Sequence, residues 1–264
     1  MRTTAIKCVI VAAGSSTRLR PLTDMLPKCL LPLAGKTILQ RTIENLLGAK
    51  ITKIAIVIGF EGERIRSFLK HQFPSLRIHC ILNPNFATTN NAYSLLLARD
   101  FFLESKSKEK KDDRLLVLDS DIIFHEGVLQ LLERNSDENR LAVRANGPHD
   151  AEEVRVCIGE AGCISMIGKN VLPAQSYGES VGIELLKHES ALVLFEVLKR
   201  RIAAKGGRTE YYEAAFQEMI DAGVKITAVD VSEFPTIEID SPADLEFAER
   251  VIIPSIDSRS NVRV

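Results

Sequence analysis

The sequence predicts an α/β protein built on a doubly wound, mostly parallel sheet, with a small antiparallel lobe in its second half. Three observations predict it. Continuous apolar runs rich in β-branched residues recur without the alternation of a half-exposed sheet, as strands covered on both faces require. Each run is followed by a stretch with apolar residues at three- and four-residue spacing. Beyond residue 140 these helical patterns give way to short strands separated by turn residues.

CVIVAA at 8 to 13 reads as the first strand, and TILQRTIENLLG at 37 to 48 as the first helix, closed by Gly48. IAIVIG at 54 to 59, a helix over 61 to 73, RIHCIL at 77 to 82, a helix over roughly 89 to 102 and RLLVLDSD at 114 to 121 continue the alternation. The charge run SKSKEKKDD at 105 to 113 reads as a solvated loop. From 140 to 186, RLAVRANG, EEVRVCIGEAGCISMIG and SVGIELL suit antiparallel hairpins on the sheet edge, turning at Gly159 to Gly162. Helices over 189 to 206 and 209 to 222 follow, then the strand KITAVDVS, a short TIEID, and a last helix opened by Ser241 and Pro242 with Asp244 in its first turn. Residues 254 to 264 read as a loose tail. No internal repeat is present.

The chain of 264 residues is 45% hydrophobic and 26% charged, a globular composition that excludes a disordered or fibrous protein. Its 34 basic and 35 acidic side chains give a net charge of -1, so nothing global attracts nucleic acid or an anionic membrane. Five scattered cysteines, Cys8, Cys29, Cys80, Cys157 and Cys163, form no metal-ligand pairs and suit a reducing, cytoplasmic location. The first apolar run is too short for an export signal, and no run of 18 apolar residues offers a membrane span. The five histidines lack ligand spacing, GxSxG is absent, and the glycine pattern is neither GxGxxG nor GxxxxGK[ST].

The most informative segment is VIVAAGSSTRLRPLT at 9 to 23 followed by PKCLLPLAGK at 27 to 36. Ala12, Ala13, Gly14, Ser15 and Ser16 follow the first strand, and residues this small let backbone NH groups approach a phosphate. Arg18 and Lys28 can neutralise charge that grows on a displaced phosphoryl group. Taken alone, the loop equally suits a plain βα turn with solvated bases.

The two halves together resemble the sugar-nucleotide pyrophosphorylase, or nucleotidyltransferase, family, with its signature AAGxxxRLxPLT followed by PKxLLPxxGK. The resemblance implies a Rossmann-like nucleotidyltransferase fold in a single domain over 1 to 253, with nucleotide bound by 1 to 139 and acceptor by 140 to 253. It implies that the loop wraps the triphosphate and base, and that Arg18 and Lys28 contact the phosphates, with Gly35 and Lys36 closing the segment structurally.

Transfer from a nucleoside triphosphate calls for a divalent cation, and Mg2+ takes one or two carboxylates plus substrate oxygens. LVLDSD ends a strand with Asp119 and Asp121, at the carboxyl edge where open α/β sheets build their sites. Period-two geometry puts both acids on one side. By resemblance Asp121 is the metal ligand, with Asp119 in support. TIEIDSPADL at 236 to 245 resembles the family's late acidic segment, which implies Asp240 as the second ligand with Glu238 beside it, on the acceptor side. Without the resemblance, Asp240 reads as a helix-cap acid.

In place of the Gly-Thr-Ala segment of the sugar-1-phosphate enzymes the chain carries NNAYSL at 90 to 95, resembling the branch that acts with CTP on phosphocholine and related amino-alcohol phosphates or phosphonates. Asn90, Asn91 and Ser94 then face the pyrimidine, with a helix cap at Asn90 and a core position for Tyr93 as the lesser alternative. Tyr211, Tyr212 and Glu213 resemble the aromatic and acidic cluster of those enzymes and suit an acceptor ammonium, while Tyr212 with Phe216 also reads as a core pair. Glu179 and Glu184 are further candidates to face the amine. The expectation is a CTP-dependent cytidylyltransferase acting on a small amino-bearing phosphate or phosphonate, of the phosphocholine or 2-aminoethylphosphonate class. The alternatives are a sugar-1-phosphate nucleotidyltransferase and a catalytically silent nucleotide-binding subunit. The oligomeric state stays open, with the charge-poor stretch 189 to 198 as the one candidate interface.

Overall fold

The computed structural model describes residues 5–104, 113–134, 137–145 and 153–260. The chain opens with β1 (Ile6–Ala12), the ribbon β2 (Pro32–Leu33) and β3 (Lys36–Thr37), α1 (Ile38–Gly48), β4 (Lys53–Ile58), α2 (Gly62–Gln72) and β5 (Ile78–Leu82). Two short helices follow, α3 (Asn91–Leu97) and α4 (Arg99–Leu103), then β6 (Arg114–Asp119), β7 (Ile122–Phe124) and α5 (Gly127–Glu133). The second half holds β8 (Asn139–Ala145), β9 (Arg155–Ile158), β10 (Ile164–Gly168), β11 (Gly178–Leu186), α6 (His188–Ala203) and α7 (Glu213–Asp221). It closes with β12 (Ile226–Asp230), β13 (Thr236–Glu238), α8 (Pro242–Phe247), a π-helical turn over Ala248–Ile252, and α9 (Ile253–Ser260).

Among the described residues nine strands form one sheet. β5, β4, β1 and β6 run parallel, and β11 then pairs antiparallel with β6. β11 also pairs antiparallel with β8 and β9, β9 with β10, and β12 lies parallel to β8. The antiparallel part therefore continues the main sheet, and only β12 departs from the hairpin pattern.

Alternate residues explain the unbroken apolar strands. Cys8, Ile10 and Ala12 of β1 enter the core under α1 and α2, and Val9 and Val11 enter the core under α3, α6 and α7. Leu116 and Leu118 divide from Leu115 and Val117 of β6 in the same way. Burying both faces of these strands is the main stabilisation, at about 25 cal/mol per Å2 of apolar surface.

A third cluster secures the signature segment. Leu19, Leu31, Leu33 and Ile38 pack with Ile123, Ile239, Ala248, Ile252 and Ile253. Residues 254–260 of the expected loose tail are instead helical, because Ile252 and Ile253 are buried and Ile256 packs beside them. The helix expected over 89 to 102 is broken at Ala98 into α3 and α4. The 209 to 222 helix starts at Glu213, after a 3-10 turn over Gly207–Thr209. Residues 105–112 of the expected solvated loop lie outside the described residues. Asp113 at its end is buried and accepts an ion pair from Lys7 at 3.2 Å. All five cysteines are unbridged. No helix among the described residues is long and apolar enough to cross a membrane.

Candidate active site

Ala12 ends β1 at the carboxyl edge of the sheet, and the small-residue loop turns away over a cavity of about 280 Å3. Gly14 is exposed, and a Cβ built there would meet nothing within 4 Å. Gly59 allows the loop to approach β4, since a Cβ there would sit 2.6 Å from the Ala13 carbonyl oxygen. Ser16 is left-handed at φ 47°, and its carbonyl accepts from the Thr23 hydroxyl at 2.7 Å. Arg18 follows on a 3-10 turn whose Leu19 is buried, and Lys28 opens a second turn pinned by buried Cys29 and Leu30.

These turns aim both cations at two carboxylates. Lys28 Nζ lies 2.7 Å from Asp121 Oδ2 and 2.8 Å from Asp240 Oδ1, and Arg18 Nη2 reaches Asp240 Oδ1 at 2.8 Å. Burial works against the Lys28 charge, but Asp121 and Asp240 outweigh it and raise the ammonium's pKa, so it stays charged. The acids come together across sequence because β13 pairs antiparallel with β7, Glu238 opposite Ile122, and the Ile239 NH donates to the Asp121 carbonyl at 2.9 Å. Asp240 is not itself the helix cap. Ser241 and Asp244 form the capping box of α8, which leaves the Asp240 carboxylate to face Lys28.

Oxygens of Asp121, Glu238 and Asp240 lie within 4.8 Å of one another. Asp121 Oδ1 is buried without a hydrogen-bond partner, a vacant acceptor of the kind a hard cation satisfies. The all-oxygen donor set therefore fits a divalent ion such as Mg2+. Asp119 does not join this set. β6 ends at Asp119 and the chain turns at 120 and 121, so period-two geometry stops there and the two acids diverge. Asp119 Oδ2 accepts from the Tyr212 hydroxyl at 2.9 Å, and Glu184 Oε2 lies 3.5 Å from the same hydroxyl. Gly182, at φ +68°, makes room for Asp119, because a Cβ there would come within 2.6 Å of Oδ2.

Burial, then the charges of Asp121, Glu213 and Glu184, raise the Asp119 pKa well above its ordinary value. Burial, then Glu213, does the same to Glu184. Glu213 lies in the cavity wall at 8% exposure, with Oε2 unpartnered and its pKa pushed up to about 7 by burial.

The structure brings Ala12, Ala13, Gly14, Ser16, Arg18, Lys28, Asn90, Asn91, Ser94, Asp119, Asp121, Tyr211, Glu213, Glu238 and Asp240 to one cavity. Ser15 does not line it. Asn90 caps α3, its side chain accepting from the Asn91 NH at 2.8 Å, while Asn91 Oδ1 accepts from the Tyr212 NH at 2.9 Å. Ser94 is buried and accepts from Asn83 Nδ2 at 3.0 Å. Tyr212 is fully buried, edge-on to Phe216 at 5.6 Å, so it supports the wall from behind. Glu179 and Glu184 do not line the cavity, since Glu179 pairs with Arg144 at 2.5 Å and Glu184 is buried behind Tyr212. Among the lining residues that sequence reasoning missed are Asn83, which orders Ser94 and Thr89, and Lys169, whose Nζ lies 4.9 Å from the Tyr211 ring centre.

Residues 7–153 match the family described as nucleotidyl transferase. Over 255 residues the chain is 28% identical to the CMP-5'-(3-aminopropyl)phosphonate synthase of Streptomyces rubellomurinus, a match covering 92% of this chain but only 38% of that protein. Over 262 residues it is 28% identical to the CTP:phosphoglutamine cytidylyltransferase of Campylobacter jejuni, covering 91% and 98% of the two chains. The solved CTP:phosphocholine cytidylyltransferase from Streptococcus pneumoniae shares the fold, with a TM-score of 0.71 and 21% identity over 94% of this chain and 99% of that one.

Proposed function

The chain belongs to the nucleotidyl transferase family, and from that premise we propose that it is a cytidylyltransferase moving CMP from CTP to a small amino-bearing phosphate or phosphonate. The observation that carries the reading is the Lys28 ammonium seated between Asp121 and Asp240 beside the open Gly14 loop. The cytidylyl chemistry in the names of its relatives supports CTP as donor. The buried, unpartnered Glu213 carboxylate supports an acceptor that carries a cation.

Asp121 and Asp240, with Glu238 beside them, are the residues that would hold Mg2+. When bound, such an ion offsets the charge of the triphosphate. Backbone NH groups at Gly14 receive the phosphates, and the small residues around them keep side chains out of the way. Lys28 contacts the reacting phosphate and Arg18 holds the departing pyrophosphate, both stabilising charge that develops as the bond to the leaving group lengthens. An acceptor oxygen forms the new bond to the α-phosphorus while the bond to the bridging α-β oxygen breaks. That oxygen arrives ionised, so no general base is required, and catalysis is positioning plus charge neutralisation. Asn90, Asn91 and the Asn83-ordered Ser94 face the base.

Pyrophosphate release with Mg2+ tests the reading, with CTP, UTP, GTP, ATP and dTTP each offered phosphocholine, 2-aminoethylphosphonate, phosphoethanolamine and glucose 1-phosphate. Release confined to CTP with amino-bearing acceptors is expected. Release with another nucleotide and glucose 1-phosphate, but not with the amines, overturns it.

A further inference from the structure

One wall of the cavity carries no charge. There Asn83, Phe86, Thr89, Asn90, Asn91 and Ser94 offer an aromatic ring, amides and hydroxyls, while the Lys28 ion pairs and Glu213 hold the charged parts. Such a surface suits a nucleobase, which is flat and neutral with hydrogen-bonding groups along its edge.

Asn83 gives this wall a fixed polarity. It is 1% exposed, and its Nδ2 donates to Thr89 Oγ1 and to Ser94 Oγ, both at 3.0 Å. Its Oδ1 accepts from the Asn85 NH at 2.9 Å, a bond that the opposite orientation of the amide would lose. Thr89 gives its own hydrogen to the Asn85 carbonyl at 2.9 Å, so it too needs Nδ2 as its donor. Both amide hydrogens are thus committed, and Ser94 Oγ receives one of them. A hydroxyl has a single hydrogen, and that of Ser94 stays available to a group in the cavity.

We infer that Ser94 selects the base: its hydroxyl, held as a donor by Asn83, donates to the ring nitrogen N3 of cytosine. That atom is an acceptor in cytosine, whereas uracil and thymine carry N–H there and would set donor against donor. Asn83 is the positioning residue and Ser94 the one that touches substrate. The inference rests on the cytidylyltransferase reading and assigns its choice of nucleotide to one hydrogen.

Equilibrium binding with Mg2+ and no acceptor tests this, using CTP, UTP and 3-deaza-CTP, in which a C–H replaces N3. The wild type should favour CTP over 3-deaza-CTP about tenfold or more, as one buried hydrogen bond gives. Ser94→Ala should bring that ratio to about one by weakening CTP alone. Asn83→Asp makes residue 83 an acceptor, so the Ser94 hydrogen turns to it and lone pairs face the cavity. That variant should lose CTP affinity and gain UTP affinity, a reversal that a merely structural role would not produce. Should it fail to fold by circular dichroism, Ser94→Ala decides the question. A CTP preference that Ser94→Ala leaves untouched, or an equal loss with all three nucleotides, overturns the inference and leaves the CTP reading standing. UTP bound as tightly as CTP by the wild type, or no binding of CTP, overturns both.

Discussion

At the transfer end of the cavity Lys28 and Arg18 sit against Asp121 and Asp240, so each charge already has its opposite before any ligand arrives. At the end proposed for the acceptor Asp119, Glu184 and Glu213 gather around Tyr212, with Lys169 at the rim. The first end is balanced by ion pairs, and its two aspartates hold the Lys28 ammonium charged. The second is balanced by protonation, because burial raises all three carboxylic acids and neighbouring carboxylates add to the effect at Asp119 and Glu184. One end is therefore ready for charge that develops during reaction, and the other for charge that a ligand brings.

The largest effect should come from breaking the balanced end. Lys28→Ala or Asp240→Asn should lower kcat/KM by about 10²- to 10⁴-fold, the scale for losing a preorganised charge at a reacting phosphate. Circular dichroism should show the fold retained. Near wild-type turnover in either variant would mean that the paired charges are structural.

The next effect sharpens the contrast through pH. Glu213 titrates at about 7 when folded, against an ordinary 4.5, so between those values the folded state binds more protons than the unfolded one. Stability contributed by its protonated form is full below pH 4.5 and is lost as pH rises through 7. The change is about 3 kcal/mol at 1.36 kcal/mol per unit. Denaturant melts of Glu213→Gln should show a shallower decline between pH 5 and 7 than the parent. Equal slopes would remove Glu213 from the protonation-balanced set.

The smallest effect tests the scaffold of that end. Tyr212→Phe removes the donor to Asp119 Oδ2 and should cost about 1 to 3 kcal/mol in equilibrium unfolding. An unchanged midpoint would show that Asp119 finds another donor.

The parallel half of the fold was legible because strands buried on both faces must be apolar at every position, as Val9 and Ile10 demonstrate by entering different cores. Lys28, Asp121 and Asp240 were legible through motif rather than through proximity, since nothing local tells that β13 returns to β7. What escaped depends on where side chains turn after an element ends. Asp119 and Asp121 look alike in LVLDSD, yet the strand stops between them and sends one toward Tyr212 and the other toward Lys28. Glu179 and Glu184 were both expected to face the amine, but Arg144 across the β8 and β11 pairing claims the first and Tyr212 stands over the second. Lys169 lies in a turn after β10 with no pattern of its own. The helical end of the chain escaped because Ile252, Ile253 and Ile256 are too few to form a periodic signal.

The β7 and β13 pairing also sets a clock on biosynthesis. Lys28 and Asp240 are 212 residues apart, so at roughly 5 to 20 residues per second the ribosome makes one about 10 to 40 s before the other. Throughout that interval the signature loop lacks Ile239, Ile252 and Ile253 beneath it and Asp240 opposite its lysine. A nascent chain can thus complete much of its parallel sheet while the proposed transfer centre waits for residues 236–253 to emerge.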